Sequence, residues 1–532
     1  MITSELFNDK SLNSDYTSLS ETDKLNLGSI SPASIGLPGE DEVASWALEY
    51  FPEFKEAGKY VRLSEGTSVP AAKEYPAYSP SVISHNEAKN AFSANPATGA
   101  AGSQSAGHGA DTAAYAGNKS IDAIRADFPI LSKKVDGKDL IWLDNGATTQ
   151  KPRQVIDRIS YFYENENSNV HRGAHTLAAR ATDAYEAARQ KTANFLGAPS
   201  AENIVFVRGT TEAINLVANA YVKPLLKPGD EIILTLLEHH ANIVPWQLIA
   251  EETGALIRVV PVDSTGQLVM SEYEKLFNRN TKFVSATHVS NALGTITPVY
   301  ELVQTAHRYG VRILIDGAQS VSHIPVNVTS LDADFYVFSG HKIFAPTGIG
   351  ALYGKSDALT QAVPYQGGGN MIKDVTFERT VYNPPPVKFE AGTGNIADAA
   401  GLGAALDYVS GIGLENIYSY EHDLLEYATR ELSKIKGLKL IGTAAEKASV
   451  LSFVLDGRGV QDIGKYLNSR GIAVRAGHHC AQPILRHFGL EATVRPTLAL
   501  YNTYGDVDAL VKALAELTGY GIKYGTAGFS GY

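Results

Sequence analysis

The sequence predicts an α/β protein: a largely disordered N-terminal region, then a large domain on a mainly parallel seven-stranded sheet, then a smaller α+β domain. From Ile121 onward, short β-rich runs alternate with helical stretches, the pattern of a parallel sheet covered on both faces. After about residue 405 the order changes to long helices and a few antiparallel strands. Before residue 119 the chain is rich in Ser, Ala, Gly, Pro and acidic residues and lacks sustained periodicity.

Residues 1–92 read as an acidic leader. Residues 1–118 hold 7 Lys and Arg against 15 Asp and Glu, a net of -8, so only -3 of the chain's -11 falls on everything after them. One island interrupts the leader. Between Pro38 and Pro52, the residues Val43, Trp46, Ala47, Tyr50 and Phe51 recur at the spacing of one helical face. Glu40, Asp41 and Glu42 occupy the end that favours negative charge, and Pro52 stops the run, which predicts a helix near 41–51. So short a helix is unstable alone and folds against something else, either the large domain of its own chain or a groove on another protein. Residues 93–119, mostly Ala, Gly, Ser and Thr, form a flexible tether, which favours the second partner by giving reach without fixed orientation.

Residues 120–136 lead in as an N-terminal segment of the small domain. The large domain spans 137–405, with strands expected at 204–207, 231–234, 256–260, 283–286, 312–315, 335–338 and 351–353. Helices are expected at 176–195, 211–222 and 301–309. In 406–532, the small domain, strands are expected near 438–440, 450–455 and 494–499, with a closing helix at 506–517. A Gly- and Tyr-rich tail follows.

Composition narrows the function. The acidic balance argues against nucleic acid as a partner, and no run of about 18 apolar residues suggests a membrane span. The start lacks a basic segment followed by an apolar stretch, and the leader is the reverse of a basic transit peptide, so cytoplasmic residence is expected.

Cys480 is the only cysteine in 532 residues, so no disulfide forms within the chain. It lies in Arg475-Ala476-Gly477-His478-His479-Cys480-Ala481-Gln482-Pro483, a polar, turn-forming segment read as a loop. A thiol in such a setting is reachable and its acidity is tunable, which points to sulfur chemistry over simple packing.

In an open parallel sheet, function gathers at the carboxyl ends of the strands. The strand at 204–207 runs into Arg208-Gly209-Thr210-Thr211, an anion cup suited to phosphate. The strand at 312–315 ends in Asp316, and the strand at 335–338 ends in Ser339-Gly340-His341-Lys342. A phosphate cup, an edge Asp and an edge Lys are what pyridoxal 5'-phosphate requires: the amine forms the Schiff base and the carboxylate keeps the pyridine nitrogen protonated.

Residues from about 120 to 518 closely resemble the SufS-like cysteine desulfurases of the class-V aminotransferase group. The matching stretches are YFYENENSNVHRGAHTL, FVRGTTEAINLVA, EHHANIVPWQ, THVSNALGT, IDGAQS, DFYVFSGHKIFAPTGIG, FEAGT, GIAVRAGHHCAQP and LALYNT. The resemblance implies a homodimeric fold-type I PLP-dependent transferase. It implies that Lys342 carries the cofactor, Asp316 pairs with the pyridine nitrogen, Gln319 contacts the phenolic oxygen, and His239 stacks on the ring. Thr210, Thr211, Ser339 and His341 would hold the phosphate, and Thr393 would reach the phosphate of the neighbouring subunit. Asn291 and Arg495 would bind the substrate carboxylate, and Cys480 would accept sulfur from L-cysteine as a persulfide. Arg475, His478 and His479 either tune the thiol or simply shape its loop. The short segment around Cys480 matches the branch in which an acceptor protein or small thiol must reach into the pocket. The sulfur would then serve iron-sulfur cluster assembly or storage.

Two other activities fit the same scaffold, selenocysteine lyase and cysteine sulfinate desulfinase; from another class, the chain could be a packaged sulfur-binding or structural component. Residues 1–118 are extra to the family. They resemble the cargo-loading regions of desulfurases packaged in family 2 encapsulin shells, which implies an encapsulin shell protein as a partner.

Overall fold

The computed structural model describes residues 115–116, 119–171 and 174–518. The acidic leader, its helix near 41–51, most of the tether and the tail at 519–532 lie outside the described residues.

Seven strands build the main sheet: β1 (Ile204–Val207), β2 (Glu231–Thr235), β3 (Leu256–Val260), β4 (Thr281–Thr287), β5 (Arg312–Asp316), β6 (Phe335–Ser339) and β7 (Gly350–Gly354). Their order is β1-β7-β6-β5-β4-β2-β3. The pairs β6/β5, β5/β4, β4/β2 and β2/β3 are parallel, while β7 is antiparallel to both β6 and β1. This is the mainly parallel seven-stranded sheet that the alternation predicts. The exception has a simple cause, because residues 340–349 are too few for the crossover that a parallel return needs.

The central strands are buried on both faces, and their alternate side chains enter different layers. In β5, Ile313 and Ile315 join one apolar core and Leu314 the other. Three helices, α1 (Arg153–Asn165), α2 (Thr176–Leu196) and α3 (Ile396–Ile412), stack beside the sheet. Close approach explains two glycines of α3, since a Cβ on Gly401 would meet Ile159 Cγ1 at 2.9 Å and one on Gly403 the Cα of Ala188 at 3.3 Å. The helix expected at 211–222 is α-helical over Thr210–Leu216 and then widens to a π-helix over Val217–Val222.

The C-terminal lobe carries a four-stranded antiparallel sheet of β8 (Leu438–Ile441), β9 (Ser452–Leu455), β10 (Arg475–Gly477) and β11 (Thr493–Arg495), in the order β8-β9-β11-β10. Two expectations need correction. The strand read as 494–499 stops at Arg495, because Pro496 has no N–H for the ladder. The segment before Cys480, read wholly as loop, begins as β10, with Arg475 opposite Arg495. The closing helix, Tyr504–Leu517, starts at a capping box in which Thr503 and Asp506 satisfy each other's backbone amides. No helix among the described residues is long and apolar enough to cross a membrane.

Candidate active site

Three strand ends meet a loop of the C-terminal lobe around one cavity of about 230 Å³. Every candidate residue lines it except Thr393 and His478.

The first wall is the turn after β1. The Thr210 amide donates to Ser339 Oγ at 2.8 Å, and that hydroxyl donates to Thr210 Oγ1 at 2.9 Å, tying the ends of β1 and β6 together. Gly350 makes this possible, because a Cβ there would meet Phe338 O at 2.5 Å and Gly209 Cα at 2.7 Å. The helix that begins at Thr210 adds its positive end to this corner.

The second wall holds Asp316, only 4% exposed, whose Oδ1 accepts the Ala318 amide at 2.9 Å. Burial pushes its carboxyl upward, and Lys342 pulls the other way. Gln319 is fixed by donating from Nε2 to Gly146 O at 2.7 Å.

The third wall is the turn after β6. Burial lowers the Lys342 ammonium to about 8, against the opposing pull of Asp316 and Cys480. The backbone beneath it is pinned: His341 O accepts from the Thr149 amide at 3.0 Å, Thr148 Oγ1 at 3.0 Å and Lys151 Nζ at 3.1 Å. Burial takes the His341 imidazole down to about 4 and the His239 imidazole down to about 3, so both are neutral at pH 7. His239 Nδ1 accepts the Ala241 amide at 3.0 Å. Beneath it Glu238, fully buried and pushed up to about 8 by that burial, accepts from the Thr287 amide at 2.9 Å and Asn242 Nδ2 at 2.5 Å.

The roof is the Cys480 loop. His479 and Cys480 are both left-handed, at φ 53° and 54°, a conformation that non-glycine residues hold only when their surroundings insist. Here they do. Cys480 O accepts the His240 amide at 2.7 Å, the Cys480 amide donates to His478 Nδ1 at 3.0 Å, and Asn291 Nδ2 donates to His479 O at 2.6 Å. The thiol itself is half-buried.

Arg495, 2% exposed, donates from Nη1 to Asn291 O at 2.7 Å and lies 3.5 Å from Asp144. Burial lowers it to about 10, still charged at pH 7. Asp144 also stands 3.9 Å from the half-exposed Arg475. Among the described residues, Arg495 Nε, Asn291 Oδ1 and His479 Nδ1 are buried without hydrogen-bond partners.

Thr393 stands elsewhere, 3.5 Å from Asn169 Oδ1 and in a separate cavity with Arg208 and Tyr185. It follows Glu390, which takes a two-pronged contact from the buried Arg189 at 2.6 and 2.9 Å. The sequence-based set of site residues missed Asp144, which pairs with the lining Arg495 without lining the cavity itself. Asp144 precedes the main sheet and meets Arg495 only through the fold. His479, read from the sequence as either tuning the thiol or shaping its loop, is buried in the cavity wall.

Residues 141–510 match the class-V aminotransferase family. The chain belongs to that family. It is 64% identical over 405 residues to a probable cysteine desulfurase of Mycolicibacterium paratuberculosis, covering 76% of this chain and 59% of that protein. It is 63% identical over 397 residues to a cysteine desulfurase of Synechococcus elongatus, covering 75% of this chain and 63% of that protein. The chain therefore spans less than two thirds of the length of either relative. Among solved structures, the cysteine desulfurase CsdA of Escherichia coli superposes with a TM-score of 0.71 at 39% identity, over 75% of this chain and 99% of that one.

The family uses pyridoxal 5'-phosphate, and the residues present fit it. A buried carboxyl faces an amine made nucleophilic by burial, and hydroxyls gather at a positive helix end.

Proposed function

We propose that this chain is a cysteine desulfurase that converts L-cysteine to L-alanine and holds the sulfur as a persulfide on Cys480. The observation that carries the reading is the chain's single thiol, half-buried on a pinned loop, lining the same cavity as Lys342, Asp316 and Arg495.

In this reading Thr210, Thr211, Ser339 and His341 hold the cofactor phosphate, Asp316 its pyridine nitrogen and Gln319 its phenolic oxygen, with His239 against the ring. When bound, the cofactor supplies an electron sink for the carbanion left when the substrate loses its α-proton. Lys342, neutral once displaced, removes that proton. Arg495 offers a charged donor with a free Nε to the substrate carboxylate, and Asn291 and Arg475 border the same spot. Cys480 attacks the substrate sulfur as thiolate: the S–S bond forms, the Cβ–S bond breaks, and its electron pair stays with the carbon skeleton that leaves as alanine. An acceptor protein or small thiol then removes the terminal sulfur, for cluster assembly or storage. Thr393 serves the phosphate of a second subunit in a homodimer.

The rival activities release a selenium or sulfinate group that departs without a nucleophile, so Cys480→Ala separates them. Cysteine turnover should vanish in that variant while alanine release from cysteine sulfinate persists. Cysteine turnover that survived the change would overturn the persulfide reading.

The leader adds an address. Its predicted apolar face, acidic first turn and tether support docking of residues 1–118 to an encapsulin shell protein. Fused to an inert fluorescent protein and co-expressed with such a shell, residues 1–118 should co-purify with particles. Loading that survives Trp46→Ser with Phe51→Ser would contradict the docking.

A further inference from the structure

The main-sheet lobe meets the Cys480 lobe through a tight turn at residues 290–295, after β4. The turn closes on itself, with the Gly294 amide donating to Ser290 O at 2.8 Å and the Ser290 amide to Thr295 O at 2.9 Å. That leaves the carbonyls of 291, 292 and 293 facing outward and buried, where each requires a donor. All three donors come from the C-terminal lobe. Arg495 Nη1 reaches Asn291 O at 2.7 Å, Ser452 Oγ reaches Ala292 O at 2.5 Å, and Lys447 Nζ reaches Leu293 O. The side chain of Asn291 completes the link by donating to His479 O at 2.6 Å, next to the thiol.

Lys447 is unusual among these. Its second contact is another carbonyl, Gly442 O at 2.6 Å, and it forms no ion pair among the described residues. Burial alone lowers its amine to about 8, so the position is costly and the two carbonyls are what retain it. Glycines mark the closest approach of the lobes. A Cβ on Gly294 would meet Ala448 O at 3.0 Å, and one on Gly442 would meet Leu293 Cβ at 2.7 Å.

We propose that Lys447 and Ser452 are positioning residues for Cys480: by capping successive carbonyls of the 291–293 turn, they fix Asn291 and, through His479 O, the place of the thiol over the pocket. Neither side chain lines the cavity. Because the Asn291 amide they hold is spent on His479 O, beside the thiol, their effect falls on the step that uses the thiol, and not on cofactor binding or α-proton removal. The assignment rests on the desulfurase reading for its consequence, but the geometry of the clamp has a readout of its own.

The test uses the full-length, cofactor-loaded protein as Lys447→Met, Lys447→Arg and Ser452→Ala. Three quantities are measured: persulfide on Cys480 after a brief exposure to L-cysteine, alanine released from cysteine sulfinate, and the rate at which iodoacetamide alkylates the sole thiol. Loss of one cap should slow persulfide formation about tenfold while sulfinate turnover stays within about twofold. Alkylation should quicken severalfold as the loop loosens, and Lys447→Arg, which keeps a donor, should recover most of the loss. Ser452→Ala removes only a hydroxyl and serves if Lys447→Met does not fold. Equal loss of both activities, or unchanged persulfide formation, would overturn the assignment. If the parent forms no persulfide at all, the desulfurase reading fails, and the alkylation rates still decide the clamp: faster in the variants supports it, unchanged refutes it.

Discussion

Lys342 gives a prediction whose size follows directly from its surroundings. Its ammonium is lowered from the ordinary 10.5 to about 8, chiefly by burial. Only the neutral amine captures an aldehyde. At pH 7 the neutral fraction of such an amine is about 300-fold greater than that of an unperturbed lysine, since each pH unit is a factor of ten. Cofactor-free protein mixed with pyridoxal 5'-phosphate should develop its absorbance near roughly 420 nm at a rate that rises with pH and levels off above about 8. Asp316→Asn supplies the sign check. Asp316 is the anion that most favours the charged amine, so removing it lowers the amine further and moves the plateau to lower pH. A rate still climbing beyond about pH 9, or a plateau moved upward by Asp316→Asn, would refute the burial argument.

Other outcomes follow from named contacts. Glu390→Gln removes the buried carboxylate that faces the buried Arg189 charge and should cost about 3–5 kcal/mol in urea unfolding, whereas Glu186→Gln, 42% exposed and touching the same arginine, should cost under about 1 kcal/mol. Similar costs for the two would show that burial does not set the difference. Arg495→Lys keeps the charge but loses the planar fork, so steady-state kinetics should show kcat/KM for cysteine lowered about 10- to 100-fold, mainly through KM. Gly317→Ala would place a Cβ 2.2 Å from the ring of the fully buried Tyr336, just after Asp316, and should lower stability by about 1–3 kcal/mol and cofactor content with it.

The parts of the site legible in the sequence are those set by local pattern. Asp316, Lys342 and Thr210 each end or follow an apolar run, and parallel strands bring their carboxyl ends to one edge, so the pattern alone places three remote motifs together. Cys480 was conspicuous by being single. What escaped depends on pairings between distant segments. Asp144 becomes part of the site only because Arg495 and Arg475 are brought to it, and Arg475 reads as loop until its pairing with β11 is seen. The roles of Arg495, Asn291 and Gln319 came from family resemblance, and Asn291 proves to spend its amide on the Cys480 loop. Lys447 and Ser452 were invisible, because their acceptors are backbone carbonyls, which leave no trace in residue identity.

The most direct measurement is of Cys480 itself. Cofactor-loaded protein is incubated with sulfur-labelled L-cysteine, digested and mapped by mass spectrometry. The account predicts one labelled sulfur on Cys480, appearing with the first equivalent of alanine. Alanine released while Cys480 stays unlabelled at early times would contradict it.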